Sequence, residues 1–203
     1  MAGIILAGGE SKRLGRDKAF ETVGGRPILD RVVEAASLVS AKLYIVANDP
    51  SKFTEYSSRA ELLRDEIPSL GPLGGLYTAL LATKDQDNFL VPCDAPFVQP
   101  KLLKFLLSEL EGCDAVVPIF GKLTHTTLAG YSVTCLPAIE KQLSLGRLKV
   151  KSFFQDVQVK YPDDDSINRY DKLGLSFFNV NTEADLAEAE RLVASGRMGA
   201  NYE

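Results

Sequence analysis

The feature that most limits how this chain can fold is an alternation: a short apolar run, a turn rich in glycine, asparagine or aspartate, then a helical pattern. Gly3-Ile4-Ile5-Leu6-Ala7 reads as a buried strand that stops at Gly8, and Leu43-Tyr44-Ile45-Val46-Ala47 as a second that stops at Asn48-Asp49-Pro50. Glu61-Leu62-Leu63-Arg64-Asp65 is a weaker third strand, and Asn88-Phe89-Leu90-Val91-Pro92-Cys93-Asp94 a fourth with an acid at its end. Between them, Pro27 opens a helix with Ile28, Leu29, Val32, Val33 and Ala36 on one face. The glycine turn Gly71-Pro72-Leu73-Gly74-Gly75 precedes Leu76, Ala79, Leu80 and Thr83 at helical spacing, and Pro100 opens a leucine-rich helix. Strands alternating with helices predict an α/β fold, a three-layer α/β/α sandwich on a mostly parallel, Rossmann-like sheet. Ligands then sit in the crevice outside the strands' carboxyl ends.

The second half continues the pattern less cleanly. Ala115-Val116-Val117-Pro118-Ile119 and Thr127-Leu128-Ala129-Gly130-Tyr131 read as strands, residues 136–145 as a helix stopped by Gly146, and residues 147–154 as a second, basic helix. The acidic stretch from Asp163 to Lys172 reads as a solvated loop. Leu175-Ser176-Phe177-Phe178-Asn179-Val180-Asn181 is the last expected strand, with Thr182 as N-cap of a closing helix. No repeat or linker interrupts the 203 residues, so one domain over 1–203 is expected.

The first strand runs into Gly8-Gly9-Glu10-Ser11-Lys12-Arg13-Leu14-Gly15-Arg16-Asp17-Lys18, three glycines with four cations. Glycine lets the backbone approach a ligand so that amides meet phosphate oxygens, and Arg13, Arg16 and Lys18 add charge. The loop suits a polyphosphate. It is not a P-loop, because Gly9 and Gly15 enclose five residues and Arg16 follows; nor is it a dinucleotide fingerprint, because Gly8 and Gly9 are adjacent. A solvated surface turn is the competing reading of the loop alone.

Twenty-seven acidic against twenty-three basic residues give a net charge of −4, which argues against nonspecific binding to nucleic acid or anionic membrane. Cys93, Cys113 and Cys135 lack metal-ligand spacing and read as reduced thiols of a cytoplasmic protein; neither a leader nor a membrane span is expected. Asp94 is open to two readings. In Pro92-Cys93-Asp94-Ala95-Pro96 it suits a turn, but a carboxylate on the same rim as the cationic loop also suits Mg²⁺.

Taken together, Leu6-Ala7-Gly8-Gly9 with Arg13, Gly15, Asp17 and Lys18, then Gly71-Pro72-Leu73-Gly74-Gly75, Pro92-Cys93-Asp94-Ala95-Pro96 and Asn179-Val180-Asn181-Thr182, in this order over nearly the whole chain, resemble the molybdenum cofactor guanylyltransferases. The resemblance implies a fold of the nucleotide-diphospho-sugar transferase type. It also implies transfer of GMP from GTP to the terminal phosphate of the molybdenum-bound pterin cofactor, with release of pyrophosphate. It assigns Leu6, Ala7 and Gly8 to the nucleotide through their backbone, and Lys18 with Arg13 to its phosphates. Asp65 matches a nucleotide-contacting acid, Gly71 and Gly74 belong to the segment that approaches the guanine, and Asp94 matches the Mg²⁺ ligand. Relatives that use CTP tend to carry alanine where this chain has Gly8; one methyl is worth only about 1–3 kcal/mol in discrimination. Cofactor-delivering proteins or molybdoenzymes are the partners such an activity implies.

On the acceptor side, Asn179 and Asn181 share a face of the expected last strand, and Arg147, in a basic segment like that of the family, could meet the pterin phosphate; strand-end capping and a solvated helix face compete. His125 is the only histidine, and Thr126 stands where the family usually has proline; a structural hydrogen-bonding role is expected of it. Two rival functions stay open: a nucleotidyltransferase with CTP as donor or a sugar phosphate as acceptor, and a non-catalytic GTP-binding partner of molybdoenzymes.

Overall fold

In a computed structural model that describes residues 1–7, 18–65 and 71–196, the first apolar run is a strand, β1 (Ala2–Leu6). Its alternate side chains enter two cores. Ile5 packs with Ile45, Phe89 and Val91 on one face, whereas Ile4 and Leu6 pack with Val46 and Leu90 on the other. This is the period of two expected of a strand covered on both sides.

There follow a small hairpin, β2 (Thr22–Val23) and β3 (Arg26–Pro27), then α1 (Ile28–Ser37), β4 (Leu43–Ala47), β5 (Glu61–Arg64), α2 (Gly71–Ala82), β6 (Asp87–Pro92) and α3 (Pro100–Ser108). After these come β7 (Ala115–Val116), a second hairpin of β8 (Ile119–Phe120) and β9 (Leu123–Thr124), β10 (Ala129–Ser132), α4 (Leu136–Ser144), β11 (Val159–Lys160), α5 (Asp164–Ile167) and α6 (Glu183–Ala194). Among the described residues seven strands form one sheet in the order β11-β7-β10-β6-β1-β4-β5, and of these only β10 runs antiparallel to its neighbours. Side chains of α1, α3 and α6 cover one face and those of α2 and α4 the other. The expected three-layer α/β/α sandwich is what the chain forms. The stripe read on α1 is fully buried, and each such Ile, Leu or Val contributes roughly 1.5–3 kcal/mol.

Several expected elements differ. Gly71 to Gly75 do not form a turn ahead of a helix; they are its first residues, and Gly75 brings α2 so close to β1 that an added Cβ would lie 2.8 Å from the Leu6 side chain. Residues 115–119 are not one strand, because Pro118 has no N–H to continue the ladder and the chain turns into the β8–β9 hairpin. The basic helix does not begin at Arg147. The Arg147 amide donates to the Gln142 carbonyl (3.0 Å) and the Gly146 amide to that of Leu143 (2.9 Å), with Gly146 at φ +68°, a Schellman ending that turns the chain away. A 3-10 segment starts only at Val150. The acidic stretch is not all solvated, since Asp163 caps the short α5 and Ile167 and Asp171 are buried.

The expected last strand is absent as well. Leu175–Phe177 is a 3-10 turn whose leading amides, those of Leu175 and Ser176, donate to the buried Asp171 carboxylate at 3.2 and 2.7 Å. The place beside β6 is already taken by β10. Residues 178–182 run on without a ladder, joined past the end of β6 by one bond from the Val180 amide to the Asp94 carbonyl (2.9 Å).

Candidate active site

Parallel pairing brings four strand ends to one edge. Leu6 stands opposite Val46 and Pro92, and Ala47 opposite Arg64, so β5, β4, β1 and β6 finish level. The pairing continues one residue further: the Ala7 amide donates to Val46 (2.9 Å), Asp65 to Ala47 (2.9 Å) and Cys93 to Leu6 (3.0 Å). Ala7, Asp65 and Asp94 therefore share a rim, as the alternation required. Gly8 and Arg13 lie outside the described residues. Leu6 is nearly buried and its side chain belongs to the core, so only its backbone faces the rim.

At the β6 end three distant segments converge. Lys18 opens a 3-10 turn and its Nζ donates to Asn181 Oδ1; the same ammonium lies 3.7 Å from Asp94 Oδ2. Asp94 Oδ1 is buried and has no hydrogen-bond partner among the described residues. Burial holds this carboxyl above the usual carboxylate range, against the opposing pull of Lys18. Such an oxygen, short of a donor beside a cation, has the chemistry of a metal ligand. Among the described residues no group of three or more His, Cys, Asp and Glu side chains could hold an ion, so an ion at Asp94 would take at most one further such ligand from them. That fits Mg²⁺, which commonly takes one or two carboxylates and completes its shell with phosphate and water.

The β5 end is arranged differently. Asp65 is buried, and its Oδ1 accepts from the Thr78 hydroxyl on α2 (3.2 Å). Gly71 and Gly74 sit in the first turn of the same helix, which starts from this rim. Three strand spacings separate the two ends, about 14 Å.

The structure does not bring every expected residue into contact. Asn179 shares no strand face with Asn181; its carbonyl lies 3.5 Å from Asn181 Nδ2. Arg147 is exposed at the end of α4, where its Nη1 donates to Gln142 Oε1 at 3.3 Å. His125 has the structural role expected of it: its Nε2 bonds the Phe120 carbonyl (3.2 Å), its ring packs on Phe177, and burial lowers its pKa so that it stays neutral. Sequence reasoning passed over Asp185, whose carboxylate receives the Asn181 and Thr182 amides; the capping pattern Thr182-x-x-Asp185 was the available signal.

The profile of the MobA-like NTP transferase domain matches residues 3–161. The chain belongs to this family. A probable molybdenum cofactor guanylyltransferase of Pelotomaculum thermopropionicum is 33% identical, over 97% of this chain and 95% of its own. A molybdenum cofactor guanylyltransferase of Desulfosudis oleivorans is also 33% identical, over 98% of both. The crystal structure of molybdopterin-guanine dinucleotide biosynthesis protein A from Archaeoglobus fulgidus superposes with a TM-score of 0.84 at 28% identity, covering 96% of this chain and all of that one. The resemblance read from the motifs is thus a family membership, and the chain is a nucleotidyltransferase of the molybdenum cofactor guanylyltransferase type. No helix among the described residues is long and apolar enough to cross a membrane.

Proposed function

We propose that this enzyme lays GTP along the rim from Asp65 to Asp94 and moves its GMP to the terminal phosphate of the molybdenum-bound pterin. The observation that carries the reading is the partnerless, buried Oδ1 of Asp94 beside the ammonium of Lys18. The nucleoside lies toward Asp65, Gly71 and Gly74, with the Leu6, Ala7 and Gly8 backbone beneath it. Lys18 and Arg13 meet the phosphates. Asp94 would hold Mg²⁺, which supplies positive charge against the triphosphate. On the acceptor side stand Asn179, Asn181 and Arg147.

In the step itself, an oxygen of the pterin phosphate forms a bond to the α-phosphorus while the bond from that phosphorus to the α–β bridging oxygen breaks. The electron pair leaves with pyrophosphate. The attacking oxygen is already ionised near neutral pH, so no general base is needed, in keeping with a neutral, structurally engaged His125. What the residues must do is orient two anions and offset their repulsion, which Lys18 does from a fixed position.

The test is pyrophosphate release from each nucleoside triphosphate with Mg²⁺, with and without the pterin acceptor. Release that requires both GTP and acceptor is expected. Strict use of CTP, or equal release with a sugar phosphate, would overturn the assignment, and GTP binding without turnover would favour a non-catalytic partner.

A further inference from the structure

Lys18 is joined through Asn181 to a third residue, Asp185. Its Nζ donates to Asn181 Oδ1, and the backbone around Asn181 is fixed from both sides. On one side the Val180 amide donates to the Asp94 carbonyl (2.9 Å). On the other, Asp185 Oδ2 accepts the amides of both Asn181 (2.9 Å) and Thr182 (2.8 Å), while the Asp185 amide donates to Thr182 Oγ1 (3.2 Å). A capping box requires only the bonds between Thr182 and Asp185. The bond to the Asn181 amide is additional, and it reaches the residue that holds the lysine.

We propose that Asp185 is a positioning residue for nucleotidyl transfer: its carboxylate sets the Asn181 backbone, Asn181 aims the Lys18 ammonium, and Lys18 then stands where the phosphates arrive. The last link rests on the function proposed above for Lys18; the first two rest on the bonds alone. Asp185 lies in the first turn of α6, where a carboxylate also complements the helix dipole, so a capping role must be separated from a positioning one.

Two readouts separate them: the rate at which acetic anhydride labels Lys18, followed by mass spectrometry of the folded protein, and turnover at saturating GTP and acceptor. Asp185→Ala should raise Lys18 labelling severalfold and lower kcat by ~10- to 100-fold, the scale on which small misplacements act, with the KM for GTP nearly unchanged. Thr182→Ala removes half of the cap and should lower Tm comparably while leaving labelling and kcat as in the native enzyme. Asp185→Glu, carrying the usual capping-box carboxylate, should restore both. Once Asn181→Ala is present, adding Asp185→Ala should cost nothing more, because the effect passes through Asn181. Equal effects of Asp185→Ala and Thr182→Ala on labelling and kcat, or full additivity with Asn181→Ala, would overturn the proposal. If the native enzyme fails to turn over GTP, guanylyl transfer falls, and the labelling ratios still decide the link from Asp185 to Lys18.

Discussion

Two aspartates follow strands that end on the same edge of one sheet, and the fold treats them in opposite ways. At the end of β5, Asp65 is enclosed and accepts the Thr78 hydroxyl at 3.2 Å. At the end of β6, Asp94 keeps one buried oxygen without a donor, and the Lys18 ammonium stands 3.7 Å from the other. A buried polar atom left unsatisfied costs about 1–3 kcal/mol, so the β6 end carries a local penalty that the β5 end avoids. On the proposed function, the contrast matches two roles. A carboxylate aimed by a hydroxyl is fixed for directional hydrogen bonds, as a nucleoside needs, whereas one short of donors is prepared for a cation that arrives with its ligand.

The largest expected effect comes from removing the charge at the open end. Asp94→Asn keeps the shape and should lower kcat by ~100-fold or more, the scale of losing a preorganised electrostatic group, as measured by pyrophosphate release at saturating GTP and Mg²⁺. Near-native turnover would mean that the lone oxygen is not a metal ligand. At the closed end, Thr78→Val removes the hydroxyl that aims Asp65. The KM for GTP should rise ~10-fold with kcat little changed, the split that separates binding of the nucleoside from chemistry at the phosphates. A fall in kcat with KM intact would erase the distinction between the two ends. Away from both, exposed Arg147 predicts a smaller change: Arg147→Ala should raise the KM for the pterin acceptor about two- to fivefold, as for an exposed ion pair, with the KM for GTP unaffected.

Much of the rim was legible because strand ends are a local property. Apolar runs stopping at Ala7, Asp65 and Asp94, alternating with helices, are enough to place these residues on one edge, and Thr182 announced its helix in the same local way. What stayed hidden depends on distant partners. Leu-Ser-Phe-Phe from residue 175 has the composition of a strand, and neither the capping of its amides by Asp171 nor the occupation of the neighbouring slot by β10 can be read from it. The contact between Asn181 and Lys18 joins positions 163 residues apart, so each residue could be suspected separately but not as a pair. Gly71 to Gly75 misled for the opposite reason: glycine usually marks a turn, but here Gly75 serves the close approach of α2 to β1.

The smallest effect is on stability, and its sign separates the two ends most directly. Burial, the largest influence on Asp94, keeps its carboxyl above the usual range even though Lys18 pulls the other way. A group whose folded pKa exceeds its unfolded value holds its proton more tightly in the native state. Its contribution is therefore full below the unfolded value, about 3.9, and is lost as pH rises through the folded one. At pH 7 without metal, burial of this carboxyl therefore burdens the fold. Asp94→Asn should then melt above the native protein at pH 7, and the difference should shrink as pH falls toward the ordinary aspartate value of ~4. Lys18 loses its ion pair in the variant but keeps Asn181, so little is forfeited there. A lower Tm at pH 7 would show that the attraction of Lys18 outweighs desolvation, and the end of β6 would then be a closed salt bridge, no different in kind from the satisfied aspartate at the end of β5.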